Sequence, residues 1–463
     1  MPTGWDLLYL SGGLVIGPLY GLRCALARKP FPQPVGRFLG TTVPDAAPHA
    51  EAPTVWLHGV SVGEVGIVGR LGMELRKAVH CSPVLTTTTS TGKSVAERKF
   101  PQLPSYYFPL DLSWAMRRAL RNLRPRLVVL AEAELWPNLL CAARAASVPV
   151  VLVNARLSDR SFRRYRGMRR LARYLFARLE LIAAQNETYA ERFLALGADP
   201  RRVVVTGSLK FDGLQLDRDN PETRRLRRLF GIAPEETVWV AGSTSEPEEE
   251  YVLRAYAELR RSYPELRLIL VPRHPERFDK VVKLTEDLLQ SRVVRRSALC
   301  DDAPASAKDR VIVVDTLGEL VHVWGLADVG FVGGSFAPRG GQSMLEPAAY
   351  GVPTCFGPCI WNYRDAATAL VERGAARLVH RFEELVDVIR QFLSDAQLRH
   401  AMGERARQFV RSQQGATQRT CALLVPFLHT DPPHPSPPRC HFGRLPTSAG
   451  HTRISAERDP QAG

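Results

Sequence analysis

The chain has 463 residues, more than one ordinary hydrophobic core can organise, so two domains are expected. Its formal net charge of +15 indicates an anionic partner or surface, such as phosphates, an acidic lipid leaflet or nucleic acid. The eight cysteines are scattered without a CxxC pair, which argues against a disulfide framework and against a zinc site.

The first predicted element is an apolar segment, WDLLYLSGGLVIGPLYGL (5–22), interrupted only by Asp6 and followed by basic residues. It lacks the basic start and the small-residue cleavage site of a signal peptide. Its glycines and proline weaken it as a helix, and it is short for a bilayer span. We predict a membrane anchor over residues 1–29, spanning or embedded, with the rest of the protein on the cytoplasmic side. A buried first helix is the alternative.

Residues 30–53 are rich in Pro, Gly and Ala, which is typical of a linker. Short β-branched apolar runs then alternate with helical patterns, as in strands buried on both faces of a parallel sheet. The runs are 54–60, 83–89, 126–132, 148–155, 179–185 and 202–207, then 237–243, 266–273, 310–316, 327–334 and 352–357.

These runs predict two doubly wound α/β domains, 54–211 and 237–428, separated by a highly charged linker, 212–236. Ligands of such sheets bind beyond the carboxyl ends of the strands, so two facing sheets create a cleft. The Pro-rich segment 429–463 is predicted to be a disordered tail.

The segment TTTTSTGKS (86–94) ends like a phosphate-binding loop. A P-loop needs a glycine five positions before Gly92, and that position is Thr87. The β-branched run extends a strand instead. The spacing therefore argues against an ATP or GTP site.

Carboxylates follow two of the predicted strands. Glu64 begins a helix after the strand 54–60, where the helix N-terminus favours its ionised form. It can serve as a general base or only as a helix cap. Glu132 and Glu134 lie at the end of the strand 126–132, and one of them is expected to enter the cleft. A salt-bridged surface pair is the alternative.

Cations follow two other strands. Lys210 lies near the junction of the domains, and Arg273 and His274 end the strand 266–273. Cationic side chains at these places can bind phosphate, although each alone is more often an ordinary surface charge.

The segment 330–358 contains the densest pattern, with two glycine pairs before a short predicted helix, 343–350. Glycines such as Gly340 and Gly341 let backbone N–H groups approach a phosphate, and a helix N-terminus favours an anion. Glu346, in the first turn of this helix, can accept hydrogen bonds from a ribose diol.

Taken in order, these segments resemble the motif series of Kdo transferases, which transfer 3-deoxy-D-manno-octulosonic acid (Kdo) to the lipid A precursor. The resemblance covers roughly residues 1–425. Its main segments are HGVSVGEV (58–65), TTTTSTG (86–92), ELWPN (134–138), NARLSDRS (154–161), GSLKFD (207–212), PRHPERF (272–278), GGSFAPRGG (333–341) and LEPAAYGVP (345–353).

The resemblance implies a GT-B glycosyltransferase with two Rossmann-like domains. The first domain would bind the acceptor, lipid IVA, and the second the donor, the cytidine monophosphate ester CMP-Kdo. Glu64 would be the general base, and Glu134, or else Glu132, the second functional carboxylate. Residues implied to hold the donor are Lys210, Arg273, His274, Gly340, Gly341, Gln342, Ser343 and Glu346. On the acceptor side it implies Ser61, Thr88, Ser90, Thr91 and Glu132.

The resemblance further implies an inverting reaction that needs neither cofactor nor metal, carried out at the cytoplasmic face of the inner membrane. Two positions depart from the family pattern. Gln342-Ser343 stands where His-Asn is common, and Ser245 stands where His is usual. Donor affinity or donor identity can differ as a result, and another GT-B transferase or an epimerase is the alternative within enzymes.

The arginine-rich run 156–179 has apolar residues at helical spacing. As a basic amphipathic helix it can contact anionic headgroups or lipid A phosphates, and a solvated helix packed on the domain is the alternative. Because the run has few aromatic residues, a nucleic-acid partner is not expected.

Overall fold

The computed structural model describes residues 3–11, 32–44 and 52–429, with short gaps at 292 and 307–309. The predicted tail, apart from its first residue, lies outside this range. Within it the chain forms two domains, each built on a parallel sheet with helices on both faces. This confirms the prediction of two parallel-sheet α/β domains.

The first domain has a seven-stranded sheet in the order β3-β2-β1-β4-β5-β6-β7. Its strands are β1 (Thr54–His58), β2 (Ser82–Thr87), β3 (Ser105–Tyr107), β4 (Leu127–Ala131), β5 (Val150–Ala155), β6 (Leu181–Ala184) and β7 (Val203–Val205). Its helices are α1 (4–11), α2 (Pro34–Leu39), α3 (Val62–Ala78), α4 (Ser90–Lys99), α5 (Ser113–Leu123), α6 (Pro137–Ala145), α7 (Asp159–Gly167), α8 (Arg169–Phe176) and α9 (Glu187–Ala195).

The second domain has a seven-stranded sheet in the order β10-β11-β9-β8-β12-β13-β14. Its strands are β8 (Thr237–Thr244), β9 (Leu266–Pro272), β10 (Val294–Arg295), β11 (Val311–Val313), β12 (Val329–Val332), β13 (Thr354–Phe356) and β14 (Ala376–Leu378). The helices that follow the first domain are α10 (Pro221–Leu229), α11 (Glu248–Leu259), α12 (Phe278–Leu289), α13 (Leu320–Val323), α14 (Leu345–Ala349), α15 (Arg364–Glu372), α16 (Glu383–Ser394), α17 (Ala396–Gln413) and α18 (Ala416–Leu424).

Central strands such as β1, β4 and β5 are buried along their whole length because both faces of each sheet are covered. In β1, Trp56 packs in one cluster of buried side chains, whereas Val55 and Leu57 pack in the cluster on the opposite face. Because successive side chains of a strand point to opposite faces, each sheet contributes to two clusters of buried side chains. Strand order reverses between β1 and β4 in the first sheet and between β8 and β12 in the second. Ligand clefts of doubly wound sheets open at such points.

Two segments depart from the predicted division. The charged stretch 212–236 contains α10, which Asn220 caps and which buries Leu226 and Leu229 in the second domain. The last helix, α18, returns to the first domain, where Cys421 and Leu424 pack in its core. Neither the helix in the charged stretch nor the return of α18 was predicted from the sequence.

The structure contradicts the predicted membrane-anchor helix. Among the residues that it describes, no helix is long and apolar enough to cross a membrane. The charged residue within the apolar run explains why α1 docks on the protein: Asp6 is buried and accepts hydrogen bonds from the Ser113 N–H (2.7 Å) and from Asn138 Nδ2 (3.1 Å). Residues 1–2 and 12–29 of the predicted anchor lie outside the described residues.

Candidate active site

The first candidate catalytic group, Glu64, lies in the first turn of α3, just beyond the end of β1. Ser61 caps this helix: its hydroxyl accepts from the Glu64 N–H (3.3 Å) and donates to Glu64 Oε1 (2.8 Å). Glu64 Oε2 accepts from the Val60 N–H (2.9 Å). Burial raises the pKa of Glu64, although these hydrogen bonds oppose the rise. The carboxylate is therefore both a helix cap and an oriented group of raised basicity.

Glu132 and Glu134 follow β4 and have different surroundings. Glu132 adopts a φ of 55° and pairs with Lys210, whose Nζ lies 2.8 Å from Oε1. The Glu134 side chain makes no hydrogen bond or ion pair with another described residue. Burial raises the pKa of Glu134 to about 7, and the charges of Glu64 and Glu132 add to this rise. The three carboxylates form one cluster, and Glu134 is the member that can exchange a proton near neutral pH.

Asn154 links this cluster to the turn that carries Lys210, and it was not predicted. It is fully buried at the end of β5, with a φ of 51°. Its Oδ1 accepts from the Leu209 N–H (3.0 Å), while its Nδ2 lies 3.5 Å from Glu132 Oε1. The signal in the sequence was an Asn that ends an apolar strand, a residue type that tolerates a positive φ.

The threonine segment 86–91 forms the end of β2 and the start of α4. Thr89 caps α4 through the Gly92 N–H (3.1 Å), and the Thr89 hydroxyl donates to the Val60 carbonyl (3.2 Å). A Cβ on Gly92 would lie 2.5 Å from Thr87 Oγ1, so the glycine permits close packing.

The predicted acceptor-side residues of this segment lie next to the Glu64 loop. Thr88 is half-buried, and its carbonyl accepts from Arg37 Nη1 (3.2 Å), while Ser90 and Thr91 are exposed at the start of α4. Hydroxyl groups at this place are available to a ligand in the cleft.

In the second domain, a buried carboxylate organises the loop after β12. Glu248 accepts hydrogen bonds from the N–H groups of Gly334 (2.7 Å), Ser335 (2.8 Å) and Phe336 (2.9 Å). It also accepts from the Ser245 N–H (3.0 Å). The N–H groups at this strand end are thus already bound to an internal anion, and a phosphate must be held elsewhere.

The second glycine pair also has internal partners. Gly340 and Gly341 have φ of 89° and 78°, and the Gly341 N–H donates to the Gly334 carbonyl (2.8 Å). A Cβ on Gly340 would lie 2.4 Å from Asn362 Nδ2 and 2.5 Å from Trp361 Nε1. Both glycines adopt left-handed backbone, and Gly340 also permits close packing against the 361–362 turn.

Polar side chains surround this loop. Arg273 is exposed at the end of β9, and its Nε donates to Gln342 Oε1 (3.2 Å). His274 lies away from that contact, with its Nδ1 3.8 Å from Glu276 Oε1. The structure therefore joins Arg273 to Gln342 and leaves His274 facing Glu276.

Glu346 lies in the short helix α14, with Tyr363 nearby. Burial raises the pKa of Glu346 to about 7, although the charge of Arg273 opposes the rise. Burial raises the pKa of Tyr363, and the residue is close enough to Glu346, Arg273 and Glu132 for all three charges to affect that pKa. Tyr363, which was not predicted, therefore stands between the donor-side and acceptor-side groups.

The two domains also touch directly beside this tyrosine. Tyr189 of α9 donates a hydrogen bond from its hydroxyl to Asp365 of α15, and Arg156 Nε donates to the same hydroxyl (3.1 Å). Lys210, which was assigned to the donor, lies against the acceptor-side Glu132. Of the predicted residues, Lys210 lines the cavity between the domains, and its ion pair with Glu132 connects that cavity to the carboxylates.

Known proteins of one family are similar to this chain over most of its length. The family profile described as 3-deoxy-D-manno-octulosonic-acid transferase matches residues 35–213. The chain is similar to the 3-deoxy-D-manno-octulosonic acid transferase of Bordetella pertussis, with 37% identity over 393 residues that cover 82% of this chain and 89% of that protein. It is also 33% identical to the transferase of the same name from Haemophilus influenzae over 381 residues, 81% of this chain and 87% of that protein.

Among solved structures, the UDP-GlcNAc 2-epimerase of Neisseria meningitidis bound to UDP-GlcNAc has a TM-score of 0.57 at 14% identity, covering 81% of this chain and 99% of that one. At this identity the likeness concerns the fold, two parallel-sheet domains of the GT-B kind. The relatives, by contrast, are similar in sequence over most of both chains. The chain therefore belongs to the family of 3-deoxy-D-manno-octulosonic acid (Kdo) transferases, which are glycosyltransferases.

Proposed function

We propose that the protein transfers Kdo from CMP-Kdo to lipid IVA, with inversion at the anomeric carbon and without a metal ion in the site. The observation that carries this proposal is the carboxylate cluster of Glu64, Glu132 and Glu134 in the first domain, together with Tyr363 of the second domain, which is close enough to Glu132, Arg273 and Glu346 for their charges to affect its pKa. A transferase needs this polarity, with a base on the acceptor side and positive charge on the leaving-group side.

Glu64 is proposed as the general base. As the acceptor oxygen bonds to the anomeric carbon of Kdo, its proton passes to a Glu64 oxygen and the bond to the CMP phosphate breaks. Ser61 and the Val60 N–H hold the carboxylate in place, and its raised pKa makes it a stronger base. A single displacement from the face opposite the phosphate inverts the configuration.

Arg273 is proposed to stabilise the charge that gathers on the leaving phosphate. Its exposed guanidinium is oriented by Gln342, so the residue that departs from the family pattern still hydrogen-bonds at this place. Glu346 can accept hydrogen bonds from the ribose in either protonation state. Positive charge from Arg273 and Lys210 can serve where other transferases use a cation.

An anionic lipid acceptor is supported by the surface next to the cluster. Leu7 and Leu8 of α1 are 70% and 59% exposed. α7 buries none of its residues and carries the exposed arginines Arg160, Arg163, Arg164 and Arg166. The charge of Glu134 affects the pKa of Tyr165, so α7 lies near the cluster.

We therefore propose that the protein acts at the cytoplasmic face of the inner membrane, and that this apolar and basic surface meets the lipid. Co-sedimentation with vesicles that contain anionic lipid checks this: binding should fall as salt rises. Equal binding to neutral and anionic vesicles would contradict it.

Glu64→Gln tests the proposed function most sharply within the protein. It keeps the size of the side chain and removes the base, so transfer should fall by at least about 100-fold. CMP binding, measured by calorimetry, should stay unchanged because Glu64 lies on the acceptor side. Glu74→Gln on the same helix, which removes a partly exposed carboxylate paired with Lys77, is the matched control. Full activity of Glu64→Gln would show that another group is the base.

A further inference from the structure

A cavity of about 260 Å³ lies between the two domains, next to the carboxylate cluster. The first domain contributes Arg156, Ser208 and Lys210 to its wall, and the second contributes Asn362 and Tyr363. The volume is below the roughly 300–1,000 Å³ of pockets that hold a whole ligand. It suits one part of a ligand, such as a single sugar residue.

The place of the cavity is where a transferred group must be. During the reaction this group lies between the donor phosphate and the acceptor oxygen. Tyr363, in the cavity wall, is close enough to Glu346 and Arg273 of the second domain and to Glu132 of the first for all three charges to act on it. The Lys210 side chain, also in the wall, contacts Glu132. The wall therefore bridges the proposed donor and acceptor sites.

The charges of the wall favour an anion. It contains three cationic side chains, Arg156, Lys210 and Arg373, and one carboxylate, Asp365. Asp365 already accepts a hydrogen bond from the Tyr189 hydroxyl. The Arg373 guanidinium lies 4.9 Å from the Phe409 ring, where it stacks. Arg156 is thus the cation that best suits a small ligand.

Most N–H donors of the Arg156 side chain are not used by the described residues. Its Nε donates to the Tyr189 hydroxyl (3.1 Å), and neither of its Nη atoms has a hydrogen-bond partner among the described residues. Its backbone N–H donates to the Glu132 carbonyl (3.2 Å), which places the residue beside the cluster. A guanidinium with both Nη groups open can bind a carboxylate in bidentate fashion.

From this geometry we infer that the cavity is the subsite for the transferred sugar acid, with Arg156 binding its carboxylate and the Tyr363 hydroxyl binding the sugar. The inference rests on the proposed function, because that function supplies a sugar that carries a carboxylate of its own. That carboxylate needs a cation distinct from Arg273, which serves the phosphate. Neither residue is required for holding the nucleotide.

Steady-state kinetics of Arg156→Gln test the subsite. The KM for CMP-Kdo should rise at least tenfold, while the Kd for CMP, which lacks the sugar, should change less than twofold. Arg156→Lys should restore part of the loss. The matched control is Arg364→Gln, which removes an exposed arginine near the same domain junction that does not line the cavity.

Each of three results with Arg156→Gln would overturn the inference. They are an unchanged KM for CMP-Kdo, an equal loss of CMP affinity, and a rise only in the KM for the lipid, which would make the anion an acceptor phosphate. Tyr189→Phe separates binding from domain contact, since it breaks both hydrogen bonds of the Tyr189 hydroxyl and leaves the Arg156 charge. It should change the KM for CMP-Kdo less than threefold; a loss equal to that of Arg156→Gln would assign Arg156 to the domain contact instead.

Failure of the proposed function and failure of the subsite inference give different results. If the unmodified protein transfers nothing from CMP-Kdo, calorimetry still compares the binding of CMP-Kdo with that of CMP. Tighter binding of CMP-Kdo that disappears in Arg156→Gln supports the subsite, and equal binding of both compounds refutes it.

Discussion

At the scale of single residues, Glu134 combines burial with two neighbouring carboxylates, which together raise its pKa to about 7. Because the folded protein binds this proton more tightly than the unfolded chain does, Glu134 contributes stability below its ordinary pKa of about 4.5. That contribution is lost as the pH rises through about 7. A carboxyl group with this property is more often found at functional sites than elsewhere.

Glu134→Gln, which resembles the protonated side chain at every pH, should therefore be more thermally stable than the unmodified protein at pH 8. The difference in Tm should shrink towards pH 4.5, and transfer should fall at every pH if the carboxylate has a catalytic role. Thermal unfolding followed across this pH range checks the sign. A lower Tm for Glu134→Gln at pH 8 would show that the buried charge is compensated by a partner.

Asn154 gives a second prediction at this scale. Asn154→Ala removes the acceptor of the Leu209 N–H and the contact with Glu132, so a buried donor is left unpaired. Stability should fall by about 1–3 kcal/mol, and transfer should fall at least tenfold as the Lys210–Glu132 pair loses its support. Urea unfolding and turnover measure the two effects.

Asn122→Ala is the control for this change, since it removes one hydrogen bond, to the Val43 carbonyl, away from the cleft. It should lower stability less and leave transfer intact. Normal transfer by Asn154→Ala would mean that the turn at Lys210 needs no support from Asn154.

The residues of the site were predicted to different degrees. Glu64 and Glu134 follow apolar runs that predict β1 and β4. Their position beyond the carboxyl ends of two strands was therefore predictable. Asn154 depends on a positive φ, and Tyr363 depends on its closeness to a residue of the other domain. Neither feature produces a periodic pattern in the sequence. The glycines at 340–341 were interpreted as a phosphate cradle, which stays a prediction, and the structure adds that Gly340 packs closely against Trp361 and Asn362.

At the scale of elements, the loop after β12 depends on α11. Glu248 at the start of α11 satisfies three consecutive N–H groups of that loop, so one carboxylate fixes the backbone from which the donor segment continues. Charge-assisted hydrogen bonds of this kind are the strong ones.

Glu248→Gln should therefore destabilise the second domain. An amide accepts through one atom only, and its NH₂ group would face N–H donors. The loss should be on the order of 3 kcal/mol, with weaker CMP binding. Denaturant unfolding and calorimetry measure both. Glu250→Gln, which removes an exposed carboxylate paired with Arg254 on the same helix, should change neither; an equal loss in both variants would contradict the special role of Glu248.

Most strands were predicted, and the exceptions have a common cause. β3, β10 and β14, which the sequence did not predict, all lie at sheet edges and have two or three residues. These three strands lack β-branched runs, whereas β7, also an edge strand of three residues, consists of valines and was predicted. The arginine-rich run was predicted as one helical stretch and forms two helices, α7 and α8, which meet at Met168.

At the scale of the whole molecule, two sets of contacts join segments that are far apart in the sequence. Asp212 accepts hydrogen bonds from the Gly415 N–H (2.6 Å) and the Thr417 N–H at the start of α18, which attaches α18 to the segment that follows the first domain. The Tyr189–Asp365 contact joins the domains beside the cavity. These pairs are far apart in sequence, which explains why apolar periodicity does not predict them.

The central claim concerns the whole molecule, and one measurement tests it most directly. Lipid IVA is incubated in detergent with the protein, freshly generated CMP-Kdo and EDTA, and the lipid is examined by mass spectrometry. The proposed function predicts a mass gain of one or more Kdo units, which would establish donor, acceptor and metal independence together. No gain from a folded protein that binds CMP would contradict it and direct attention to other acceptors or sugar nucleotides.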